Sequence, residues 1–362
     1  MKEKKIYSVI TGTGKYIPSE VVRNEDFLKS EFYDPSGTRL DKNNQEIIDK
    51  FLEITTIAER RYVSDDLVTS DIAYFAAREA IESAGIEKEE LDYIIVAHNF
   101  GDVRSDNKRS DFVPSLAARV KAHLKIKNPE TVAYDLPFGC PGWLQAIIQA
   151  DYFIKSGDAK KILVIGSEVL SRVSDPHDRD SMLYADGAGA TIVEARESEE
   201  PIGILAHKTR SDTYVYSQML RMDQSYNPGM NGSADNIYLK MNGRKLYQYA
   251  LETVPQAIKS CLEKSKIHLN QIKSVLIHQA NGKMDDAILK RLYQLFNIHD
   301  VPKNIMPMTI SWLGNSSVAT LPTLLDLLLK DKLEEFRVEP NDYLVFASVG
   351  AGMNINTVVY KM

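Results

Sequence analysis

The sequence predicts an α/β fold built from two similar halves. Short apolar runs typical of buried strands alternate with longer amphipathic runs typical of helices along the chain. The predicted strands are Tyr7–Gly12, Leu91–His98, Thr131–Asp135, Lys161–Ser167, Ala188–Val193, Val275–His278 and Tyr343–Ser348. The predicted helices are Ser70–Ala84, Ser115–Leu124, Gly142–Lys155, Tyr247–Lys264, Lys283–Phe296 and Pro322–Leu333. This alternation favours helical layers around buried sheets.

An internal repeat indicates the two halves. A helix, a polar link and an apolar strand occur once from Ala80 and again from Cys261. The two copies lie 181 positions apart, half of the 362-residue chain. Chance similarity between two helix–strand units is the alternative. We therefore predict an N-terminal half over residues 1–197 and a C-terminal half over residues 198–362, with a site at their junction.

Composition and charge exclude several classes of protein. Apolar residues make up 44% and charged residues 26%, as in soluble globular chains. The formal charge of −6 gives no basic surplus for nucleic acid, and apolar stretches such as Leu324–Leu329 are far shorter than the ~20 residues of a membrane span. Two cysteines make neither a disulfide framework nor a metal cluster. We therefore expect a cytoplasmic protein without metal, nucleic acid or membrane partners.

Cys140 is the strongest candidate for a nucleophile. It follows an apolar strand and precedes a predicted helix, for which Pro141 suits the first position and Gly157 the exit. A thiol at a helix N-terminus faces the positive end of the helix dipole and unpaired N–H groups, and both favour the thiolate. A buried structural cysteine is the alternative, and it is the preferred interpretation of Cys261, which lies in mid-helix.

Three other strand or helix ends carry groups that could act with this thiol. His278 closes a predicted strand, and Ala97 holds the matching position of the repeat, so packing there does not require histidine. Asn315 stands at a helix start, where it would cap the helix or donate a hydrogen bond from its amide. Residues 347–353 form a glycine-rich corner that is either a tight turn or an oxyanion site. These groups suit acyl transfer through a thioester better than a cysteine protease, whose histidine must activate the thiol.

The motifs around these residues resemble the β-ketoacyl-acyl carrier protein synthase III family, the initiating condensing enzymes of the thiolase superfamily. The resemblance runs from Ile10 to the C-terminus. Its most specific motifs are Gly139-Cys-Pro-Gly, Ser171-Arg-Val-Ser-Asp-Pro-His-Asp-Arg, Ala185-Asp-Gly-Ala-Gly-Ala, His278-Gln-Ala-Asn and Gly314-Asn-Ser-Ser-Val-Ala-Thr-Leu-Pro. The resemblance implies two thiolase-like halves in a five-layered α-β-α-β-α arrangement, usually as a homodimer.

The resemblance also implies a catalytic triad of Cys140, His278 and Asn315. In the implied reaction Cys140 takes an acyl group from a thioester, and the N–H groups of Cys140 and Ala351 form an oxyanion hole. His278 and Asn315 then donate hydrogen bonds to a malonyl thioester and stabilise the enolate left by decarboxylation. Acyl-coenzyme A or acyl carrier protein is the substrate, and no metal or other cofactor is needed. The substrate site would also include Gly350, Gly352 and Met353.

The chain departs from the family pattern near the nucleotide entrance. The family commonly has Trp followed by Arg-Thr-Gly-Ile-Arg. The corresponding stretch, Phe51–Arg60, has neither the tryptophan nor the two arginines of this motif at their positions, and it follows a longer polar segment, Phe32–Gln45. This departure favours a priming acyl group delivered on carrier protein rather than on coenzyme A.

Carrier protein is acidic, so a local basic patch would suffice to bind it despite the net charge of this chain. The resemblance assigns this contact to Lys283, and we add Arg244 as a second candidate. Lys290 and Arg291 could extend the patch. For Arg244, Lys290 and Arg291, an ordinary solvated face is the alternative interpretation.

A second departure concerns the acyl pocket. Where relatives place a residue, often phenylalanine, that reaches across the dimer into the pocket, this chain has Val113 after Phe112. The smaller side chain favours a medium-chain or β-oxo acyl donor over acetyl, as in family members of secondary metabolism, including those that build dialkylresorcinol-type rings. Two alternatives are a relative that condenses larger acyl thioesters without decarboxylation and a catalytically inactive scaffold that binds carrier protein.

Overall fold

The computed structural model describes residues 4–230 and 236–362. The strands are β1 Lys5–Tyr16, β2 Glu20–Arg23, β3 Glu59–Tyr62, β4 Tyr93–His98, β5 Asp102–Val103, β6 Ser110–Asp111, β7 Val132–Pro137, β8 Lys161–Val169, β9 Asp186–Ser198, β10 Gly203–Ser211, β11 Leu220–Asp223, β12 Tyr238–Met241, β13 Ile272–Ile277, β14 Tyr343–Gly350 and β15 Asn354–Lys361. The α-helices are α1 Asn44–Thr55, α2 Thr69–Ala84, α3 Leu116–His123, α4 Gly142–Ser156, α5 Thr213–Tyr216, α6 Gly243–Ser265, α7 Gly282–Gln294, α8 Ile310–Leu313 and α9 Thr320–Leu329.

Two large sheets have corresponding strand orders. The first sheet runs β1-β9-β8-β4-β7, and the second runs β10-β15-β14-β13. In the first, β8 is parallel to β4 and antiparallel to β9; in the second, β14 is parallel to β13 and antiparallel to β15. The strands β4 and β13 of the internal repeat therefore hold equivalent positions. The predicted division between residues 197 and 198 falls at the end of β9, the last strand of the first sheet.

The sheets and helices form five layers. Helices α2 and α3 cover one face of the first sheet, α4 and α9 lie between the two sheets, and α6 and α7 cover the far face of the second. Separate apolar clusters fill the spaces between these layers. One lies between the first sheet and α2 and α3, one surrounds α4 and α9 between the two sheets, and one lies between the second sheet and α6 and α7. The expected α-β-α-β-α arrangement is confirmed.

The position of each helix follows from its sequence. Helix α4 is apolar on most of its surface and buries Trp143, Leu144, Ile147 and Ile148, because most of the surface of a helix between two sheets faces protein. Helix α7 alternates buried and exposed positions, as an outer helix requires. Among the described residues, no helix combines the length and apolar character that spanning a bilayer requires.

The predicted elements are present, with shifted ends. The strand predicted to close with His278 ends at Ile277, the helix predicted to end at Leu333 ends at Leu329, and Pro141 caps α4 instead of opening it. Strand β15 was not predicted, because polar residues such as Asn356 and Thr357 interrupt its apolar pattern although they are fully buried.

Candidate active site

A cavity of about 930 Å³ opens between the two halves of the chain. Strand and helix ends of both halves contribute to its wall, and the three residues of the predicted triad lie among them. These cavity residues include Gly139, Cys140, His278, Asn315, Gly350 and Ala351. Residues separated by up to 212 positions therefore meet in one space, as the sequence predicts for a site at the junction.

Two glycine turns bring the halves together at Cys140. Gly139 has a φ of +67°, and a Cβ atom added to it would lie 2.9 Å from the Ala351 nitrogen. A Cβ atom added to Gly350 would lie 2.6 Å from the Cys140 nitrogen. Only residues without a side chain allow the two backbones to approach so closely. The backbone nitrogens of Cys140 and Ala351 consequently lie at the same contact.

The surroundings of Cys140 oppose its ionisation. Burial raises the pKa of Cys140 to about 11, a hydrogen bond from Ser317 acts in the opposite direction, and the Glu168 carboxylate raises the value further. The Ser317 hydroxyl donates this bond to Cys140 Sγ over 3.3 Å. In the free protein burial therefore opposes the contribution that the helix start and the Ser317 hydroxyl make towards the thiolate.

His278 is a buried, neutral imidazole. It follows β13 directly, and its backbone N–H donates to the Ala347 carbonyl over 2.8 Å. Burial lowers the pKa of His278 to about 4. Its Nδ1 atom has no hydrogen-bond partner in the described part of the chain. The ring can therefore donate one hydrogen bond in the cavity, but it carries no charge at neutral pH.

Asn315 is held so that its amide can serve two purposes. Its backbone N–H donates to the Leu183 carbonyl and its own carbonyl accepts from the Ala185 N–H, both over 2.9 Å. Its Oδ1 atom accepts from the Ser317 N–H over 2.9 Å, which caps the turn that follows. With Oδ1 engaged in the cap, Nδ2 is the end of the side chain that can donate to a ligand.

Sequence reasoning missed a group of polar residues beside the triad. Ser317 contacts Cys140, and Asn99 Nδ2 donates to Ser317 Oγ over 3.1 Å and to Glu168 Oε2. Glu168 is fully buried, and burial raises its pKa to about 7. The available signals were a serine inside the motif that starts at Gly314 and a glutamate within an otherwise apolar strand.

His98, which follows the Ala97 position of the repeat, is a structural histidine. Its side chain is fully buried, its Nδ1 atom accepts from the Gly101 N–H over 3.1 Å, and its Nε2 atom lies 3.0 Å from Asp135 Oδ2. It is absent from the cavity wall.

Some predicted substrate residues lie outside the cavity of this chain. Gly350 lines the cavity, but Gly352 and Met353 do not. Met353 is fully buried in the apolar cluster between the second sheet and α6, because the chain turns inward before β15. Phe112 and Val113 are 46% and 85% exposed on the surface and also do not line this cavity.

The basic candidates lie at or near the entrance. Arg244 is exposed and lines the cavity. Lys283 is exposed on α7, with its Nζ atom 3.5 Å from Glu53 Oε1 on α1, and does not itself line the cavity. Lys290 and Arg291 are exposed further along the same helix. The polar segment Phe32–Gln45, which departs from the family pattern, leads into α1 and forms part of the cavity wall.

Comparison with known proteins agrees with this architecture. A family model for 3-oxoacyl-(acyl-carrier-protein) synthase III matches residues 134–213, and the model for its C-terminal part matches residues 262–362. The chain is 33% identical to β-ketoacyl-(acyl-carrier-protein) synthase III 1 of Vibrio parahaemolyticus over 98% of this chain and 100% of that protein. It is 31% identical to the synthase III of Xanthomonas campestris over 99% of both chains.

A solved structure gives the same result. The 3-oxoacyl-(acyl-carrier-protein) synthase III of Aquifex aeolicus superposes with a TM-score of 0.78 at 31% identity, covering 98% of this chain and 100% of that one. With both halves matched in sequence and in fold, the chain belongs to the 3-oxoacyl-(acyl-carrier-protein) synthase III family, the acyltransferases of the thiolase fold that carry out condensation.

Proposed function

We propose that this protein primes Cys140 with an acyl group and condenses that group with a malonyl thioester by decarboxylation. The observation that carries the proposal is the meeting of a thiol, a neutral imidazole and a free amide in one cavity. A positively charged histidine would pair with a carboxylate, whereas a neutral one can donate to a carbonyl without holding a counter-ion.

The first step is transfer of the acyl group. Cys140 sulfur forms a bond to the thioester carbonyl carbon, the bond to the donor thiol breaks, and the cysteine proton ends on that departing thiol. The Cys140 and Ala351 N–H groups, brought together by Gly139 and Gly350, would stabilise the oxyanion of the intermediate.

The second step is condensation. The malonyl thioester loses carbon dioxide, and the electron pair of the broken bond forms an enolate whose oxygen accepts hydrogen bonds from His278 and Asn315. The enolate carbon attacks the acyl carbonyl, and the Cys140 sulfur departs as a thiolate that takes up a proton from solvent and returns to the thiol. The low pKa of His278, about 4, favours this role, since the ring stays neutral throughout the physiological range.

The cavity wall supports an acyl donor longer than acetyl. Apolar side chains from both halves line much of the cavity that contains Cys140. They include Leu170, Leu183, Leu220, Met222, Leu239 and Met241. An extended acyl chain buries its methylene groups there, each with about 0.8 kcal/mol of favourable transfer free energy. A medium-chain or β-oxo acyl group is therefore the proposed donor.

Surface features support the proposed partners. Arg244, which lines the cavity, and the exposed Lys283 on α7 offer positive charge to an acidic carrier protein. The exposed apolar side chains Phe112 and Val113 suit contact with a second copy of the chain, which would form a homodimer. Two free cysteines are compatible with a reducing cytoplasm.

The decisive experiment is turnover with malonyl-carrier protein and a panel of acyl thioesters on coenzyme A and on carrier protein. We expect carbon dioxide release equal to product, with medium-chain or β-oxo donors preferred and carrier protein favoured as their delivery form. Product without carbon dioxide would indicate the non-decarboxylating alternative, and exclusive acylation by acetyl would contradict the proposed donor. Absence of turnover with intact carrier-protein binding would indicate the scaffold alternative.

Alkylation provides an independent check on the nucleophile. Cys140 lines the cavity, whereas Cys261 is fully buried. Iodoacetamide should therefore modify Cys140 well before Cys261 at neutral pH. Full activity of a Cys140→Ala variant would contradict every enzymatic form of the proposal.

A further inference from the structure

A line of three polar side chains leads away from the Cys140 sulfur. Ser317 Oγ lies 3.3 Å from Cys140 Sγ, and Asn99 Nδ2 lies 3.1 Å from Ser317 Oγ. The same Asn99 nitrogen contacts Glu168 Oε2. These residues come from three separate parts of the chain, at the ends of β4 and β8 and in the turn before α9.

The hydrogen bonds of this line have one consistent direction. The Asn99 amide nitrogen carries two hydrogens, one directed to the Glu168 carboxylate and the other to the Ser317 oxygen. Because the serine oxygen accepts there, its own hydrogen is free to point at the Cys140 sulfur. Reversal of the Asn99 amide would set its oxygen against the carboxylate oxygen. Glu168 therefore fixes the orientation of Asn99, and Asn99 fixes that of the serine hydroxyl.

The backbone of Ser317 is also held in an uncommon conformation. Its φ is +54°, in the left-handed region that residues with a side chain seldom adopt. The Asn315 Oδ1 atom accepts from its N–H over 2.9 Å and secures the turn. One turn thus presents the Asn315 amide to the cavity and the Ser317 hydroxyl to the sulfur.

We infer that Ser317 stabilises the Cys140 thiolate by a hydrogen bond, and that Asn99 and Glu168 are positioning residues that aim the serine hydroxyl. The inference rests on the proposed function, in which sulfur is the nucleophile of the first step and the leaving group of the second. A hydroxyl directed at sulfur assists both steps, since both pass through a sulfur that carries negative charge.

Orientation and charge can be separated at Glu168. The glutamate charge opposes formation of a second negative charge on Cys140, so its useful contribution is acceptance of the Asn99 hydrogen. In Glu168→Gln the side-chain oxygen still accepts that hydrogen, while the charge is gone. In Glu168→Leu no acceptor remains. The glutamine variant should keep or increase the reactivity of Cys140, and the leucine variant should lose it.

The experiment measures two rates for each purified full-length variant. These are alkylation of Cys140 by iodoacetamide and acylation of Cys140 by an accepted acyl thioester, both followed by intact-protein mass. We expect Ser317→Ala to slow both rates by roughly ten- to a hundredfold, the range for a hydrogen bond to a charged group. Ser317→Gly, which lacks the hydroxyl but adopts this φ readily, should slow both rates as much as Ser317→Ala does, and KM for the malonyl thioester should change little.

A double-variant comparison tests whether Asn99 acts through Ser317. Asn99→Ala should slow alkylation in the wild-type background but have almost no effect in the Ser317→Ala background. The inference would be overturned if the losses of alkylation rate in Asn99→Ala and Ser317→Ala multiplied in the double variant. An unchanged alkylation rate in Ser317→Ala, or equal losses in Glu168→Gln and Glu168→Leu, would also overturn it. Unfolding midpoints identify any variant that fails to fold, and the Ser317 variants then decide the outcome. If wild-type protein fails to condense malonyl thioester while alkylation follows the expected pattern, the proposed function fails and the hydrogen-bond inference stands.

Discussion

The ends of β4 and β13 occupy the same place in the two halves, but they have different surroundings. In the first half Ala97 packs against the start of the Cys140 helix, where a Cβ atom on Gly142 would lie 3.1 Å from the Ala97 Cβ atom. In the second half the matching residue is His278, which lines the cavity. A duplicated scaffold thus provides two equivalent strand ends, of which one supports the nucleophile helix and the other carries an imidazole.

The next position along each strand end is structural in both halves. His98 accepts from the Gly101 N–H and lies beside Asp135, while Gln279 accepts from the Thr309 and Ile310 N–H groups. In the second half, Gln279 is therefore held by hydrogen bonds to the backbone, whereas the preceding residue, His278, can contact a ligand in the cavity. The difference teaches that the neighbouring groups, rather than residue type, distinguish the two histidines: His98 lies beside a carboxylate, whereas His278 lines the cavity.

The largest expected effect is loss of condensation in His278→Ala. Removal of a donor to the developing enolate should lower kcat for condensation by roughly 10²–10³-fold, the usual cost of deleting one oxyanion donor. Acyl-Cys140 should still accumulate when only the priming thioester is present, because the first step uses backbone N–H groups. Release of labelled carbon dioxide and intact-protein mass measure the two steps. A variant that lost acylation and condensation equally would contradict this division of roles.

A second expectation concerns acid. The folded-state pKa of His278, about 4, lies below the ordinary histidine value near 6.5. Above pH 6.5 His278 is neutral in the folded and the unfolded state and adds no pH dependence to the free energy of unfolding. As pH falls from 6.5 towards 4, protonation favours the unfolded state, and the free energy of unfolding decreases by roughly 3 kcal/mol at most.

The check is the free energy of unfolding in urea between pH 7 and pH 4 for wild type and His278→Gln. The difference between the two should narrow as pH falls, because the glutamine variant does not titrate. A parallel pH dependence in both proteins would mean that His278 is not the group concerned.

Gln279→Ala should act on stability. Its side chain is fully buried, donates to the Pro307 carbonyl over 2.9 Å and accepts from two backbone N–H groups. Loss of these partners should lower the free energy of unfolding by about 2–3 kcal/mol. Urea denaturation measures the change, and Gln294→Ala, an exposed residue on α7, is the matched control with an expected effect within about 0.5 kcal/mol. Equal effects at the two positions would refute this account of the strand end.

The smallest expected effect is on the pH dependence of stability, and it differs in sign between two carboxylates, Asp135 and Asp285. The pKa of Asp135 is held below its usual range: burial opposes this, but His98 and the Ala117 and Leu116 N–H groups outweigh it. Burial raises the pKa of Asp285 well above its usual range, and neither of its oxygens has a partner in the described part of the chain.

Stability from Asp285 should therefore increase as pH falls from neutral towards the ordinary aspartate value, opposite in sign to the His278 effect. Asp285→Asn should remove this dependence between pH 7 and pH 5. Thermal unfolding of the two proteins across that range measures it. Asp135→Asn should instead destabilise the protein at neutral pH.

Much of the site was predictable because its groups lie at the ends of strands and helices. Each of these residues, Cys140, His278 and Asn315, follows or precedes a recognisable strand or helix. The repeat places Ala97 at the position that matches His278, which indicates that packing there does not require histidine. Gly352 and Met353 do not line the cavity, and a glycine-rich corner does not reveal where the chain turns inward.

The residues behind Cys140 were not predictable for a different reason. Asn99, Glu168 and Ser317 are scattered over 218 positions and share no spacing. Their relation is created by tertiary packing, which no local pattern contains. The raised pKa of Cys140 was missed similarly, because burial of a turn depends on the opposite half of the molecule.

The close contact of Gly139 with Ala351 and of Gly350 with Cys140 has a practical consequence. Since each half provides one side of that contact, severing the polypeptide near residue 200 should yield two inert fragments whose reassembly switches catalysis on. Such fragments, fused to a pair of interacting proteins, would make a complementation reporter whose signal is the product of the enzyme itself.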